Sequence, residues 1–163
     1  MKGGVGMPMS PTIVCNNILS RGFAEKRDIS PMKLQKLMYF VACEYQKDAH
    51  TVLFSEPFEV WRYGPVIRSV YDEFKAYGKN AISSYAKDAK GTAYIVDEST
   101  SPKLKNAINR IWNAFKDWEA IPLSNITHED KSGWSSAYDG HLPVISSDQM
   151  EADNTYVHYL SNC

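Results

Sequence analysis

Apolar residues recur at helical spacing along most of this chain. The clearest run lies between Pro31 and Asp48. There Leu34, Leu37, Met38, Val41 and Tyr45 follow i, i+3, i+4, i+7 and i+11 and form one stripe. Ser30 is placed to cap this helix, and Pro31 suits its first turn. Lys33, Lys36 and Lys47 lie off the stripe, while Gln35 and Tyr39 flank it as candidates for polar packing or a surface contact. An earlier helix is predicted from Ser10 to Ser20, with Ile13, Val14 and Ile18 inward and Gly22 just past its end. A third is predicted to open at Gly64-Pro65, to bury Val66, Ile67, Val70, Phe74 and Tyr77, and to close on Gly78 as a left-handed cap. A fourth opens at Ser101-Pro102 and carries Leu104, Ala107, Ile108, Ile111, Trp112 and Phe115 on one face. Pro122 breaks the chain before a short helix ending at Thr127, and Asp130 to Val144 reads as a loop. Ser146-x-x-Gln149 has capping-box spacing and opens a last helix with Met150, Val157 and Leu160 inward.

The helical period fails between Glu56 and Tyr63, where β-forming residues predict a short strand. Ala93 to Val96 is its expected partner, pairing near Val60. The expected fold is mainly α: a single compact helical domain of about five to six helices, with at most a small two-stranded β element. Residues 1–9 read as a glycine-rich flexible leader and 10–163 as the domain.

Charge changes this picture in one respect. The net charge is only −1, which gives no reason to expect nucleic acid or an anionic membrane as partner. Yet 17 Lys/Arg face 11 Asp/Glu through Lys116, and from Asp117 onward a single Lys131 stands against eight acids. Either the acidic third packs on a basic surface, or it meets a basic partner, with Glu151 and Asp153 as contacts. The three cysteines, Cys15, Cys43 and Cys163, are widely spaced and form no CxxC, against a disulfide framework or a metal site. Cys15 and Cys43 fall on apolar helix faces and are expected to be buried thiols. No stretch nears the ~18 apolar residues of a membrane span, and the first nine residues lack a signal-peptide core. The expected location is the cytoplasm.

Few residues suggest chemistry. Lys2-Gly-Gly-Val-Gly6 lacks the Lys-Ser/Thr pair of a phosphate loop and is followed by Met7 and Pro8. His128 beside Glu129 and Asp130 invites a catalytic reading, but no nucleophile motif accompanies it. Its other reading is that His128 and Thr127 cap a helix end or bond to backbone, with Trp134 packed nearby. No catalytic residue, metal ligand or cofactor is assigned. Ten tyrosines are too many for the core centre, and an amphipathic surface of this kind suits protein contacts, including a homo-oligomer. The densest group is Phe58-Glu-Val-Trp-Arg-Tyr-Gly-Pro-Val66, whose aromatics and arginine serve either as packing or as an interface anchor.

Three segments together carry a resemblance. Lys33-Leu-Gln-Lys-Leu-Met-Tyr-Phe40 resembles the K-L-Q-K-L-L-Y-F helix of the SocA-like antitoxins, the Panacea domain, which includes phage-associated GepA-like proteins. Phe58 to Val66 is similar to that family's F-E-A-W-x-x-G-P-V, followed by Val70-Tyr71. Leu123 to Trp134 is similar to its L-x-x-x-T-H-x-x-x-x-W element, with Gly133 where the family usually has proline. The resemblance implies a helical, cytoplasmic protein, often prophage-borne, that neutralises a cognate toxin encoded nearby by direct binding and performs no reaction. The other readings are a DNA-binding regulator, opposed by the absence of an arginine-rich recognition helix, and a prophage protein that blocks a host effector. The expected partner-binding residues are Trp61, Arg62, Tyr63, Gln35, Tyr39, Trp134, Glu151 and Asp153.

Overall fold

The computed structural model describes residues 7–160. Among them lie seven α-helices and one antiparallel β-hairpin: α1 (Pro11–Glu25), α2 (Pro31–Ala49), β1 (Glu59–Trp61), β2 (Gly64–Val66), α3 (Arg68–Phe74), α4 (Pro102–Phe115), α5 (Ala120–Thr127), α6 (Gly133–Asp139) and α7 (Ser147–Glu151). The mainly α expectation holds, with short helices where loop was expected. Of the predicted leader, residues 1–6 lie outside the described part. Met9 is held in place, donating its N–H to the Leu53 carbonyl (2.7 Å) and accepting from the Ser55 N–H (3.0 Å).

α2 is the axis. Its predicted stripe is buried, and so is most of its other side, because α4, α5, α7 and the hairpin pack around it. The Ser30 hydroxyl accepts the Lys33 N–H at 3.2 Å, the expected cap. Every residue expected on the buried face of α4 is buried, and a cluster through Phe40, Phe115 and Tyr156 forms the centre of the core.

Four boundaries differ from the sequence expectation. α1 runs on past Gly22 to a left-handed Lys26 (φ 57°). Gly22 is needed inside the helix, because a Cβ there would meet the Ile29 Cδ1 at 2.8 Å. Gly64-Pro65 opens no helix: it pairs with β1 in the register Trp61↔Gly64 and Val60↔Pro65, and α3 starts only at Arg68. The expected loop over 130–144 contains α6, whose first turn Ser132 caps by accepting the Ser135 N–H. The last helix is only five residues long, with the Ser146–Gln149 capping box complete, and Val157 beyond it is exposed.

Ala93–Val96 does not pair with β1. The third neighbour of the hairpin is instead the segment around Val144, where the Val60 N–H donates to Pro143 (3.0 Å) and the Ile145 N–H to Phe58 (2.9 Å). Two buried asparagines of α1 hold the 86–96 segment. Asn16 donates to the carbonyls of Ala86 and Tyr94 (3.0 and 2.9 Å) and accepts the Ala86 N–H (2.8 Å). Asn17 exchanges a matching pair with Val96, both at 2.9 Å. The side chains of α1 thus stand in for a neighbouring strand.

Candidate functional site

The three motif segments meet at one corner. β1 and β2 are joined by Arg62 and Tyr63, which keep negative φ, and Gly64 supplies the positive φ of 117° that closes the turn. No other residue fits there. A Cβ on Gly64 would lie 2.7 Å from the Lys36 Nζ and 2.8 Å from the Thr127 hydroxyl. The turn therefore rests on α2 through Lys36 and on α5 through Thr127.

The backbone of the turn is tied inward at three successive carbonyls. Trp61 accepts the Trp134 indole N–H at 2.7 Å, Arg62 faces the His128 Nε2 at 3.0 Å, and Tyr63 accepts the Ser124 hydroxyl at 2.9 Å. The His128 Nδ1 faces the Ser124 carbonyl at 2.7 Å, so both ring nitrogens point at backbone oxygens. His128 therefore behaves as the backbone-bonding group that its second reading anticipated. Trp134 packs on it with ring centroids 4.1 Å apart and stacks on Tyr138 at 4.8 Å.

The side chains of the tip point the other way. Tyr63 is 60% exposed, and the Arg62 guanidinium lies over its ring at 5.6 Å. Trp61 is half-buried on the outer face. Its indole N–H donates to Glu59 (2.8 Å), Arg68 lies over the ring at 5.0 Å, and Tyr71 meets its edge at 4.7 Å. Hydrogen bonds from Arg68 and Trp61 hold the Glu59 carboxyl below its usual range. Tyr138 and Leu142 extend the exposed apolar surface beside the tip.

Four of the expected contact residues lie inside the protein. Gln35 is buried and clamps Ile67, donating to its carbonyl (3.1 Å) and accepting its N–H (2.9 Å). Tyr39 is buried and donates its hydroxyl to Asp153 at 2.6 Å. Desolvation, first of several causes, raises that phenol well above its ordinary range. Asp153 is fully buried, and the same oxygen accepts the Gly133 N–H (2.9 Å) while the other accepts the Thr155 N–H and hydroxyl (3.0 and 2.7 Å). Trp134 is 7% exposed and supports the turn from beneath. For Gln35, Tyr39 and Trp134 the packing alternative therefore holds, and Asp153 is interior as well: neighbours along the chain leave all four off an apolar stripe, but elements from elsewhere in the chain cover them. Glu151 is exposed, as expected.

Sequence reasoning missed two groups. One is the Asn16–Asn17 pair, signalled by two amides in mid-helix, where they have low propensity. The other is a polar layer on the far side of α2, where the Tyr156 hydroxyl donates to Glu44 (2.8 Å), Lys47 donates to Tyr156 (2.8 Å), and Arg110 pairs with Glu44. Of the eight acids from Asp117 onward, Asp153 is buried and the other seven are exposed, with Asp117 paired to Arg27 at 2.6 Å. Acidity in this third is thus mostly a surface property. Cys15 and Cys43 are buried, and desolvation pushes both thiols up. Among the described residues no group of three or more His, Cys, Asp or Glu is placed to hold a metal, and no helix is long and apolar enough to cross a membrane.

The profile of the family described as Antitoxin SocA-like, Panacea domain, matches residues 34–135. Antitoxin SocA of Caulobacter vibrioides (strain NA1000 / CB15N) is 30% identical over 130 residues, which cover 78% of this chain and 69% of that protein. No solved structure matches the chain. The matched span runs from α2 into α6 and contains the hairpin, Lys36, Thr127, His128 and Trp134, so the similarity takes in the whole corner just described. The chain belongs to the SocA-like antitoxin family, the Panacea domain.

Proposed function

We propose that this protein is an antitoxin that neutralises a cognate toxin by direct binding in the cytoplasm and carries out no reaction of its own. The face it presents is the hairpin tip, with Arg62 and Tyr63 at its centre, Trp61 and Tyr71 behind them and Tyr138 beside them. One observation carries this reading. The carbonyls of Trp61, Arg62 and Tyr63 all face bonding partners inward, while the Arg62 and Tyr63 side chains are exposed, one over the other, and among the described residues make no side-chain hydrogen bond. A turn fixed in this way binds without first paying to order itself, and tyrosine and arginine are residues that dominate interface energetics. His128 spends both ring nitrogens on backbone carbonyls, in keeping with a role in support and not in proton transfer.

The test is co-expression with the protein encoded by the adjacent gene. The neighbour is expected to stop growth alone and to be neutralised and co-purified by this chain. Arg62→Ala and Tyr63→Ala are each expected to weaken the complex at least tenfold, about 1.4 kcal/mol, with the melting temperature unchanged. Unchanged affinity in both variants would move the contact surface elsewhere on the molecule.

A further inference from the structure

Lys36 is 1% exposed, beneath the hairpin, and among the described residues no carboxylate pairs with it. It stands out because the molecule's other buried charged groups all have hydrogen-bond partners: Lys33 donates to the Lys116 carbonyl (2.6 Å), Asp153 accepts from Tyr39, Gly133 and Thr155, and Glu44 pairs with Arg110, while the half-buried Lys47 donates to the Asp153 backbone carbonyl and the Tyr156 hydroxyl. The groups bordering Lys36 offer nothing similar. The hairpin brings Gly64 against it; Glu59 is engaged with Arg68, and Arg62 is exposed at the tip. α5 brings the neutral Thr127, and His128 beyond it is turned to the Ser124 and Arg62 carbonyls. On α2 itself, Lys33 is one turn back and Tyr39 is committed to Asp153. An ammonium in this position gives up most of its water and gains no counter-charge.

We infer that Lys36 is a positioning residue for the hairpin: as a neutral amine it lets Gly64 and the turn close onto α5, and as an ammonium it drives that seam open. Desolvation by burial, acting alone, brings the amine from its usual range down to about 7. An opened seam hydrates the amine and restores its ordinary affinity for a proton. The open form then binds one more proton than the closed form between pH 7 and about 10.4. Within that window opening grows about tenfold for each pH unit of acidification, and below pH 7 it levels off because both forms are charged. The hairpin is held least firmly at neutral pH and gains hold as pH rises. Its role in toxin binding rests on the reading above; the titration itself does not.

Amide exchange of Trp61, Gly64 and Val66 from pH 7 to 9 tests this without any partner. Hydroxide-catalysed exchange speeds about tenfold per pH unit, while the opening equilibrium is expected to fall by the same factor. The hairpin amides of the natural protein should therefore exchange at nearly level rates across the range. In Lys36→Met the same amides should speed up about a hundredfold, and His128→Gln should keep the level profile. Equal acceleration in the natural protein and Lys36→Met overturns the inference, as does loss of the level profile in His128→Gln with its retention in Lys36→Met. Should Lys36→Met fail to fold, the 15N resonance of the Lys36 Nζ decides. A titration near pH 7 upholds the inference, and an ammonium persisting through pH 9 overturns it. A level hairpin profile together with full toxin binding by Arg62→Ala and Tyr63→Ala would sink the proposed contact face and leave this inference standing.

Discussion

At the hairpin corner, Arg62 and Tyr63 turn their side chains to solvent while their carbonyls bond inward. At the C-terminal corner, Asp153 turns its carboxylate into the protein while Glu151, two residues earlier, stays outside. Both corners carry polar and aromatic residues that look alike in the sequence. The difference lies in which part of each residue the interior uses. Where it uses the backbone, the side chain is free for recognition; where it uses the side chain, nothing remains to recognise. A residue's chemistry therefore says less about its availability than the account of its hydrogen bonds does.

Substitutions can sharpen or break this contrast. The largest effect is expected from Asp153→Ala, which strands the Tyr39 hydroxyl and the Gly133 N–H in the interior. The expected loss is about 3–5 kcal/mol, or roughly 10 °C in melting temperature. A loss under about 1 kcal/mol in a denaturant titration would show that water reaches this corner and that the contrast is overdrawn. Trp134→Phe comes next. It keeps the ring and removes the donor to the Trp61 carbonyl, and should cost about 1 kcal/mol while weakening toxin binding through the loosened turn. Full binding at reduced stability would uncouple the turn from the contact. The smallest effect is expected from Glu151→Lys, whose stability should stay within about 0.5 kcal/mol. A clear drop in its complex-association rate at low salt would bring the acidic surface of the C-terminal third into the contact.

Much of the helical frame was legible because it depends on neighbours within one or two turns. The stripe of α2, the buried face of α4 and the Ser146–Gln149 box are all local patterns, and all are present. What stayed hidden depends on distant chain. Tyr39 meets Asp153 across 114 residues, and Gln35 meets Ile67 across 32, so no window along the sequence contains both partners. α2 reads as amphipathic by itself, yet it is covered on nearly all sides, and its off-stripe lysine, glutamine and tyrosine became interior groups. The hairpin was half legible: residues 56–63 read as a strand, but Gly64-Pro65 read as a helix start, and Gly64's close approach to Lys36 and Thr127 could be known only once α5 was in place. The corner as a whole was visible through the family resemblance, which named its three segments without saying that they touch.

The asparagine pair on α1 has a consequence for how this domain can change. Asn16 and Asn17 hold the 86–96 segment by peptide groups at Ala86, Tyr94 and Val96. Those groups are the same in every residue but proline. Tyr94 and Ile95 meanwhile stand more than half exposed. The clasp reads the chain's course and ignores its spelling, so the outer face of this segment can be rewritten while the frame beneath it stays the same.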